Sequence, residues 1–347
     1  MDYRSLGRTG VQVSALCLGC MNFGGRTDAE TSTKIIHKAL DAGINFIDTA
    51  NVYGHDPQNF SVGRGRSETI VGEAIKTKRD QVILATKAYF HMGNQPNDWG
   101  SSRYHIIQQC EASLKRLKTD HIDLYQLHHP HNGIPIDETL RALDDLIRSG
   151  KVRYIGTSSF AAWQIIESLW VSKEHHLNRF ICEQPSYNLL DRRIERELIP
   201  MAQTYGIAII PWSPTAGGFL TGKYKRGEEP PQDSRFGAFW TSAKDRHYSE
   251  KAFAILDLVQ ELAYEKASTP YQIALAWVLH QTGITSPIIG PRTVEHLDSS
   301  LEILDIEFTD EDFARIDAIA PAGQMTVPYY GHDGMAWVPW GPHQYRW

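Results

Sequence analysis

Eight short apolar runs, each separated from the next by a longer polar or amphipathic stretch, are the feature that most restricts how this sequence can fold. The runs read ALCLG, NFIDTA, QVILATKA, IDLYQLHH, RYIGTSS, FICEQPS, IAIIPW and SPIIG. Between them lie helical patterns such as TSTKIIHKALDAG, SSRYHIIQQCEASLKRLK, DETLRALDDLIRSG and RRIERELIPMAQTYG, several entered through Ser, Thr or Asp and left through Gly. Such alternation predicts parallel strands joined by right-handed crossovers.

Eight strand–helix units predict a closed (β/α)8 barrel, a TIM barrel of the α/β class, rather than an open doubly wound sheet. An open nucleotide-binding sheet would normally carry GxGxxG after its first strand, and CLGCMNFGG lacks that pattern. The turn GRTG between two short β-like runs predicts an N-terminal hairpin. We assign residues 1–320 to a single barrel domain and residues 321–347 to a C-terminal tail.

Composition narrows the classes of function. The net charge is −6, and Lys and Arg are scattered rather than gathered in a basic stripe, so we expect no nucleic-acid partner. No early segment resembles a signal peptide, and no apolar run approaches the roughly 20 residues that span a bilayer. We therefore expect a soluble cytoplasmic protein with no membrane partner. Cys17 and Cys20 form a CxxC motif inside an apolar strand run, which predicts free, structural cysteines rather than a redox or zinc site.

Four polar residues stand at or just beyond the ends of consecutive predicted strands. Asp48 ends the second strand and Tyr53 follows it, Lys87 ends the third, and His128 ends the fourth. In a barrel such positions converge on one axis. A buried Lys needs a nearby anion, which Asp48 can supply, and the ammonium is expected to lower the pKa of Tyr53 from its usual value near 10. His128 can orient a carbonyl and share in proton transfer, so the set predicts acid–base catalysis.

This Asp, Tyr, Lys and His set resembles that of the aldo-keto reductase superfamily. The resemblance extends in order through GINFIDTANVYG, SLKRLKTDHIDLYQLHHP, VRYIGTSS, CEQPSYN, PWSPTAGGFLTGKY and PIIGPRTVEHL, to about residue 320. The WSP and GKY elements are similar to the branch near aryl-alcohol dehydrogenases and potassium-channel β subunits. The resemblance implies reversible, NADPH-dependent reduction of a small-molecule aldehyde or ketone, with hydride from the nicotinamide and a proton from Tyr53.

The same resemblance implies contacts to NADP(H). Gln184 and Ser158 would hold the carboxamide, and Trp212 would stack on the nicotinamide ring. The pyrophosphate would be wrapped by Lys223, Arg235 and the loop Ser213, Pro214, Thr215, Ala216, Gly217 and Gly218.

The adenosine end of the cofactor would lie by the last strand. Gly290 would let the chain approach the cofactor, and Arg292 would bind the 2′-phosphate. Many relatives have Asn where this sequence has Ser159 and Ser300. The remaining positions that match cofactor contacts are Gly19, Cys20, Met21, Asp48, His296 and Ser299.

Two other functions fit parts of the sequence. HHPH, residues 128–131, could be a metal cluster of a barrel hydrolase, but the ammonium of Lys87 would repel a divalent ion, so we expect no metal. A cofactor-sensing regulatory subunit with little turnover is the alternative to an enzyme.

The long loops and the tail are expected to shape the substrate site. Residues 53–66 and 214–250 are long loops after predicted strands, a feature typical of functional loops on a barrel. The tail is dense in Tyr and Trp from residue 327 onward, which predicts packing against the barrel mouth or a neighbouring subunit, so a homo-oligomer is left open.

Overall fold

The computed structural model describes residues 1–56, 59–238 and 247–327. An antiparallel hairpin, β1 (Tyr3–Ser5) and β2 (Gln12–Ser14), comes first, as predicted. Eight parallel strands follow in one sheet: β3 (Cys17–Gly19), β4 (Phe46–Asp48), β5 (Ile83–Ala88), β6 (Ile122–Leu127), β7 (Val152–Ser158), β8 (Phe180–Gln184), β9 (Ala208–Ile209) and β10 (Ile288–Ile289). Every predicted strand run overlaps one of them.

The sheet closes into a barrel. Its strand order is β10-β3-β4-β5-β6-β7-β8-β9, so the two end strands must meet to close the ring. The amide of Ile288 donates to the carbonyl of Pro211 at 2.9 Å, and the amide of Thr285 donates to Ile209 at 2.8 Å. These hydrogen bonds join the segment around β10 to the segment around β9, and the predicted (β/α)8 class is confirmed.

Helices surround the strands and pack on their outer faces. They are α1 (Ala29–Asp41), α2 (Arg66–Ile75), α3 (Arg103–Leu117), α4 (Ile136–Arg148), α5 (Ala162–Glu174), α6 (Leu198–Tyr205), α7 (Arg235–Ala238), α8 (Glu250–Glu265), α9 (Pro270–His280), α10 (Val294–Leu301) and α11 (Asp310–Ile319). Side chains cap several helix starts: Asp28 accepts the amide of Thr31, and Ser102 that of His105. Gly206 ends α6 in the left-handed conformation at φ 66°.

One predicted helix is shorter than expected. The pattern RRIERELIPMAQTYG predicts a helix over residues 192–206, but α6 begins at Leu198, and Arg193–Glu195 form a separate 3-10 turn. Pro200 explains the difference. Its ring lacks an N–H and would collide with the carbonyl four residues earlier, so proline is tolerated only in the first turn of a helix.

The hairpin closes the N-terminal end of the barrel. Leu6 and Val13 belong to the same buried cluster as the inward-facing Cys17, Phe46 and Leu124. All four cysteines of the chain are buried and unpaired, as predicted. Because the hairpin closes this end, a functional site must open at the opposite end, where the strands finish.

The chain from Pro321 to Val327 returns to the loop that follows β8. The amide of Arg192 donates to Gln324 at 2.8 Å, and the amide of Val327 donates to Leu190 at 3.0 Å. Residues 328–347, which carry most of the predicted tail, lie outside the described residues. The packing of the tail stays a prediction, and the last described residue, Val327, is bonded to the loop that follows β8.

Gly72 provides a test of the helix packing around the barrel. A Cβ added there would lie 2.5 Å from the carbonyl oxygen of Leu117 and 2.7 Å from its Cα. Replacing a helical Gly by Ala normally stabilises a helix by about 1 kcal/mol. Here we expect Gly72→Ala to lower the free energy of unfolding by about 1–3 kcal/mol, because backbone atoms cannot move aside. Urea unfolding checks this, with Gly10→Ala, where no atom lies within 4 Å, as the control.

Candidate active site

Alternation along the parallel strands decides which side chains face the barrel axis. An inner layer is apolar, with Phe46, Ala85, Leu124 and Cys182 contributed by four strands. Two residues further along each of these strands the inward side chain is polar, which gives a second layer of Asp48, Lys87, Gln126 and Gln184. The polar layer lies above an apolar floor, at the open end of the barrel.

Asp48 is the centre of this polar layer. Lys87 Nζ donates to Asp48 Oδ1 and also to the carbonyl of Thr49 at 2.8 Å. Asp48 Oδ2 accepts Gln184 Nε2 at 2.9 Å and Gln126 Nε2 at 3.1 Å. Burial alone would lower the pKa of Lys87, but Asp48 and then Tyr53 outweigh it, so the pKa is raised. Lys87 is therefore an ammonium, held by the carboxylate that the sequence predicted.

Tyr53 and His128 lie above this ion pair. Tyr53 Oη is 3.4 Å from His128 Nε2, and the two rings meet edge to face with centroids 5.5 Å apart. Lys87 Nζ lies 5.0 Å from the centroid of the Tyr53 ring. The loop after β4 fixes Tyr53, whose carbonyl accepts the amides of Gly65 and Ser67 at 3.0 and 3.3 Å. The four residues predicted at strand ends are thus brought together.

The predicted direction of the Tyr53 pKa is wrong. Lys87 does act to lower it, but burial raises it by more, and the pKa of Tyr53 is above its ordinary value. The pKa of His128 lies well below its usual range, most because of burial and then because of the charges of Lys87 and His129. At neutral pH the pair is therefore a protonated phenol beside a neutral imidazole, and the phenol is the group that can donate a proton.

Gln126 is a site residue that the sequence analysis missed. Its amide donates to Asp48 Oδ2, and its Oε1 lies 3.3 Å from Gln184 Nε2, so it completes the shell around the carboxylate. The signal was present in LYQLHH, since Gln126 lies two residues before His128 in the same predicted strand run and so shares its inward face.

The loop predicted to hold the pyrophosphate has an unusual backbone. Ser213 (φ 58°), Ala216 (φ 52°), Gly217 (φ 68°) and Gly218 (φ 94°) all adopt left-handed conformations. Gly217 donates its amide to Ser213 Oγ at 3.0 Å. A Cβ on Gly218 would lie 3.1 Å from Lys223 Nζ, so glycine leaves room for that ammonium. Turns of this kind point successive N–H groups into one concavity, which suits an anion.

Four cations gather near this loop. The pKa of Lys223 is lowered, most by desolvation, then by the charges of Arg292 and Arg26, and more weakly by that of Arg235. The pKa of Arg26 is lowered by desolvation and then by the charges of Arg292 and Arg235. The guanidinium of Arg26 donates to the carbonyl of Asp233 at 3.1 Å. Like charges so close repel one another, and a bound polyanion would relieve the repulsion. Arg26 was missed in the sequence, although it directly follows the glycines of NFGGR after the first barrel strand.

Gln184, a predicted carboxamide contact, lies beside Asp48, and Ser158 lies beside Gln184. Gln184 reaches Asp48 through Nε2, which leaves its Oε1 as an acceptor, and Ser158 Oγ donates to the carbonyl of Gln184 at 2.9 Å. Ser159 has φ 64°, a conformation that the Asn of many relatives adopts more readily than Ser does. Trp212 is held at the same mouth by its amide, which donates to Pro185 at 2.9 Å.

Two of the predicted glycine contacts have different explanations. A Cβ on Gly19 would come within 2.5 Å of Ile288 Cγ2, so strand packing already requires glycine there. At Gly290 the nearest atom to a Cβ would be Asn22 Nδ2 at 3.7 Å, so packing gives no reason for glycine. Close approach of a ligand remains a reason for Gly290.

The other predicted contacts vary in their exposure. Ser300 is buried, and its hydroxyl is bonded to Tyr271 Oη at 2.6 Å and to the carbonyl of His296 at 2.7 Å. Met21 is 39% exposed and Cys20 is buried. His296 lies close enough to Arg292 that, after desolvation, this charge lowers its pKa. The roles of these residues, and of Ser299 beside them, stay predictions.

Neither a metal cluster nor a membrane-spanning helix is present among the described residues. The rings of His128 and His129 are stacked with centroids 5.7 Å apart, and no group of three His, Cys, Asp or Glu side chains among the described residues is arranged to hold a metal ion. Within the same residues, no helix has the length and apolar character needed to cross a membrane.

Glu183 provides a pH-dependent test of the strand end that carries Ser158 and Ser159. Its buried carboxyl accepts Thr157 Oγ1 at 2.5 Å and the amide of Phe160 at 3.1 Å. Burial raises the pKa of Glu183 from 4.5 to about 8 despite these bonds. The unfolded chain then ionises first, so the free energy of unfolding should fall between about pH 4.5 and 8, by on the order of 3–5 kcal/mol.

The matching variant is Glu183→Gln, which cannot ionise. Its stability relative to the wild type should rise steadily from pH 5 to pH 8.5 in urea titrations, while the exposed Glu174→Gln should follow the wild type. A constant difference between Glu183→Gln and wild type across this range would contradict the assignment.

Comparison with known proteins agrees with this geometry. The model of the Aldo/keto reductase family matches residues 15–321. The uncharacterized oxidoreductase YrpG of Bacillus subtilis is 40% identical, over 97% of this chain and 100% of YrpG. A probable voltage-gated potassium channel subunit beta of Oryza sativa is 35% identical, over 95% of this chain and 100% of the relative. L-glyceraldehyde 3-phosphate reductase of Escherichia coli is 32% identical, over 94% of each chain. The chain therefore belongs to the aldo/keto reductase family and is an oxidoreductase.

Proposed function

We propose that this protein catalyses the reversible, NADPH-dependent reduction of an aldehyde or ketone to the alcohol, with Tyr53 as the proton donor. The observation that carries the proposal is the convergence of Asp48, Tyr53, Lys87 and His128 at the open end of the barrel. Aldo-keto reductases generally use NAD(P)H, and relatives named as reductases of a hemiacetal and of an aldehyde phosphate are consistent with carbonyl chemistry.

The acid–base step follows from the charges of the four residues. Tyr53, protonated at neutral pH, gives its proton to the carbonyl oxygen as the carbonyl carbon is reduced. The ammonium of Lys87 stabilises the phenolate that remains, and Asp48 keeps that ammonium in place. Neutral His128, 3.4 Å from the phenol oxygen, is positioned to orient the carbonyl. When bound, NADPH supplies the hydride.

The residues around the mouth fit a dinucleotide phosphate. Gln184, Ser158 and Trp212 would hold the nicotinamide end beside Tyr53. The left-handed loop from Ser213 to Gly218 would hold the pyrophosphate. The cluster of Lys223, Arg26, Arg235 and Arg292 would bind phosphate groups, and a cluster with this much positive charge supports NADPH over NADH.

A regulatory subunit is the second candidate, because relatives from rice, fission yeast and Arabidopsis are named as potassium channel β subunits. Those names describe those proteins. In this chain the complete proton-transfer set supports turnover. Sustained NADPH oxidation with simple aldehydes would separate the two, since a sensor that turns over little would oxidise at most its bound cofactor.

Tyr53→Phe tests the proton donor. Without the hydroxyl, we expect kcat for aldehyde reduction to fall by at least about 100-fold, the lower end of what general acid catalysis contributes. The NADPH Kd, measured by fluorescence titration, should stay within about twofold because the predicted cofactor contacts are intact. Tyr264→Phe, at a residue that is 90% exposed, is the control. A Tyr53→Phe enzyme with wild-type turnover would refute the assignment.

Arg292→Ala tests the cofactor preference. We expect the binding of NADPH to weaken by roughly 1.5–3 kcal/mol, the usual scale for a hydrogen bond to a charged group, and the binding of NADH to be nearly unchanged. Equilibrium titration with both cofactors is the measurement, and Arg141→Ala on the exposed face of α4 is the control for charge. Equal losses for NADPH and NADH would show that Arg292 does not contact the 2′-phosphate.

A further inference from the structure

We propose, resting on the carbonyl reduction proposed above, that Arg64 and the rings beside Tyr53 form a subsite for the non-reacting end of the substrate. The substrate class that fits is an aldehyde or ketone with a flat apolar body and an anionic group, a carboxylate or a phosphate, at its far end. The subsite selects among carbonyl compounds, which the proton-transfer residues cannot do.

The first part of the subsite is an aromatic wall made of Phe60, Phe90 and His128. The Phe90 and His128 rings meet edge to face with centroids 4.9 Å apart, and those of Phe60 and Phe90 do so at 6.2 Å. The three residues follow β4, β5 and β6, and Phe60 is 45% exposed. The wall thus leads outward from the ring that contacts Tyr53. The Phe60 ring already packs on His55, with centroids 4.4 Å apart, and its exposed part can pack against a planar apolar group.

The second part is Arg64, at the outer end of the aromatic wall. Its Cζ lies 5.0 Å from the centroid of Phe60. Arg64 Nε donates to the carbonyl of Phe60 at 2.7 Å, and Nη1 donates to the carbonyl of His91. These two bonds hold the guanidinium between the loops after β4 and β5. In the described part of the chain no hydrogen bond uses Nη2, so two N–H groups of the fork are left for another acceptor.

The charge of Arg64 has no partner among the described residues. Some partly buried arginines are paired, such as Arg116 with Glu68 and Arg79 with Asp123, and others, such as Arg4, bond to backbone carbonyls. No carboxylate of the described chain forms an ion pair with Arg64. Burial is the one cause that lowers its pKa. A partly desolvated cation without an anion is unfavourable, and a bound carboxylate or phosphate would compensate it with charge-assisted hydrogen bonds.

The competing explanation is that Arg64 only fastens the two loops through the carbonyls of Phe60 and His91. In that case its loss would disturb the aromatic wall and affect every substrate alike. An anion subsite predicts a loss confined to substrates that carry the negative charge. Substrates of equal size and different charge therefore separate the two explanations.

The experiment compares 4-carboxybenzaldehyde with its methyl ester, methyl 4-formylbenzoate, in steady-state reduction by NADPH. We expect the wild type to favour the acid in kcat/KM by about 10-fold or more. Arg64→Met should lower kcat/KM for the acid by about 10- to 100-fold and leave the ester within about threefold. Arg64→Lys should keep part of the preference. Arg153→Met, at the N-terminal end of β7, changes the net charge equally and should behave as the wild type.

Three outcomes would overturn the subsite. They are a wild type that does not prefer the acid, equal losses for acid and ester in Arg64→Met, and an Arg153→Met variant that loses the acid preference as fully as Arg64→Met does. If no aldehyde at all is turned over, the proposed function fails instead. The subsite is then decided by calorimetric binding of 4-(hydroxymethyl)benzoate and of its methyl ester to wild type and Arg64→Lys. Acid-selective binding that weakens in the variant supports the subsite, and equal binding of both compounds overturns it.

Discussion

The ion pair between Lys87 and Asp48 is the constraint on which the rest of the site depends. Both side chains are fully withdrawn from water, and an unpaired charge at that depth would cost several kcal/mol. The barrel compensates by placing Asp48 and Lys87 on adjacent strands and adding amide donors from Gln126 and Gln184. The carboxylate is thereby satisfied from three sides, and the ammonium is fixed where a phenolate would form.

Strand alternation connects this pair to the fold. The two-residue period that gives the barrel an apolar interior at Phe46 and Leu124 also points polar side chains inward two residues further along each strand. Core and site are therefore successive layers of one sheet. A one-residue shift in register would turn both layers outward together, so the site can form only when the strands pair in the register that also forms the core.

Much of this arrangement could be predicted from the sequence. Eight apolar runs were enough to predict the barrel, and their ends located Asp48, Lys87 and His128, because convergence at strand ends is a property of the topology. Depth of burial has no such local signal, so the direction of the Tyr53 pKa was predicted wrongly. Arg26 was missed because its cationic neighbours come from residues about 200 to 270 positions away. Gln126 could have been predicted from the alternation of side chains along its strand, and the late start of α6 from the chemistry of Pro200.

The N-terminal hairpin restricts the route by which protons can reach the polar layer. Because Leu6 and Val13 close one end of the barrel, the described residues leave the polar layer around Asp48 open to solvent at the other end. If Tyr53 is the proton donor, as proposed above, substrate would enter by that end, and so would the water that reprotonates Tyr53 after each turnover. An occupied mouth would delay reprotonation until the alcohol departs, which would make proton uptake and product release consecutive events at a single opening.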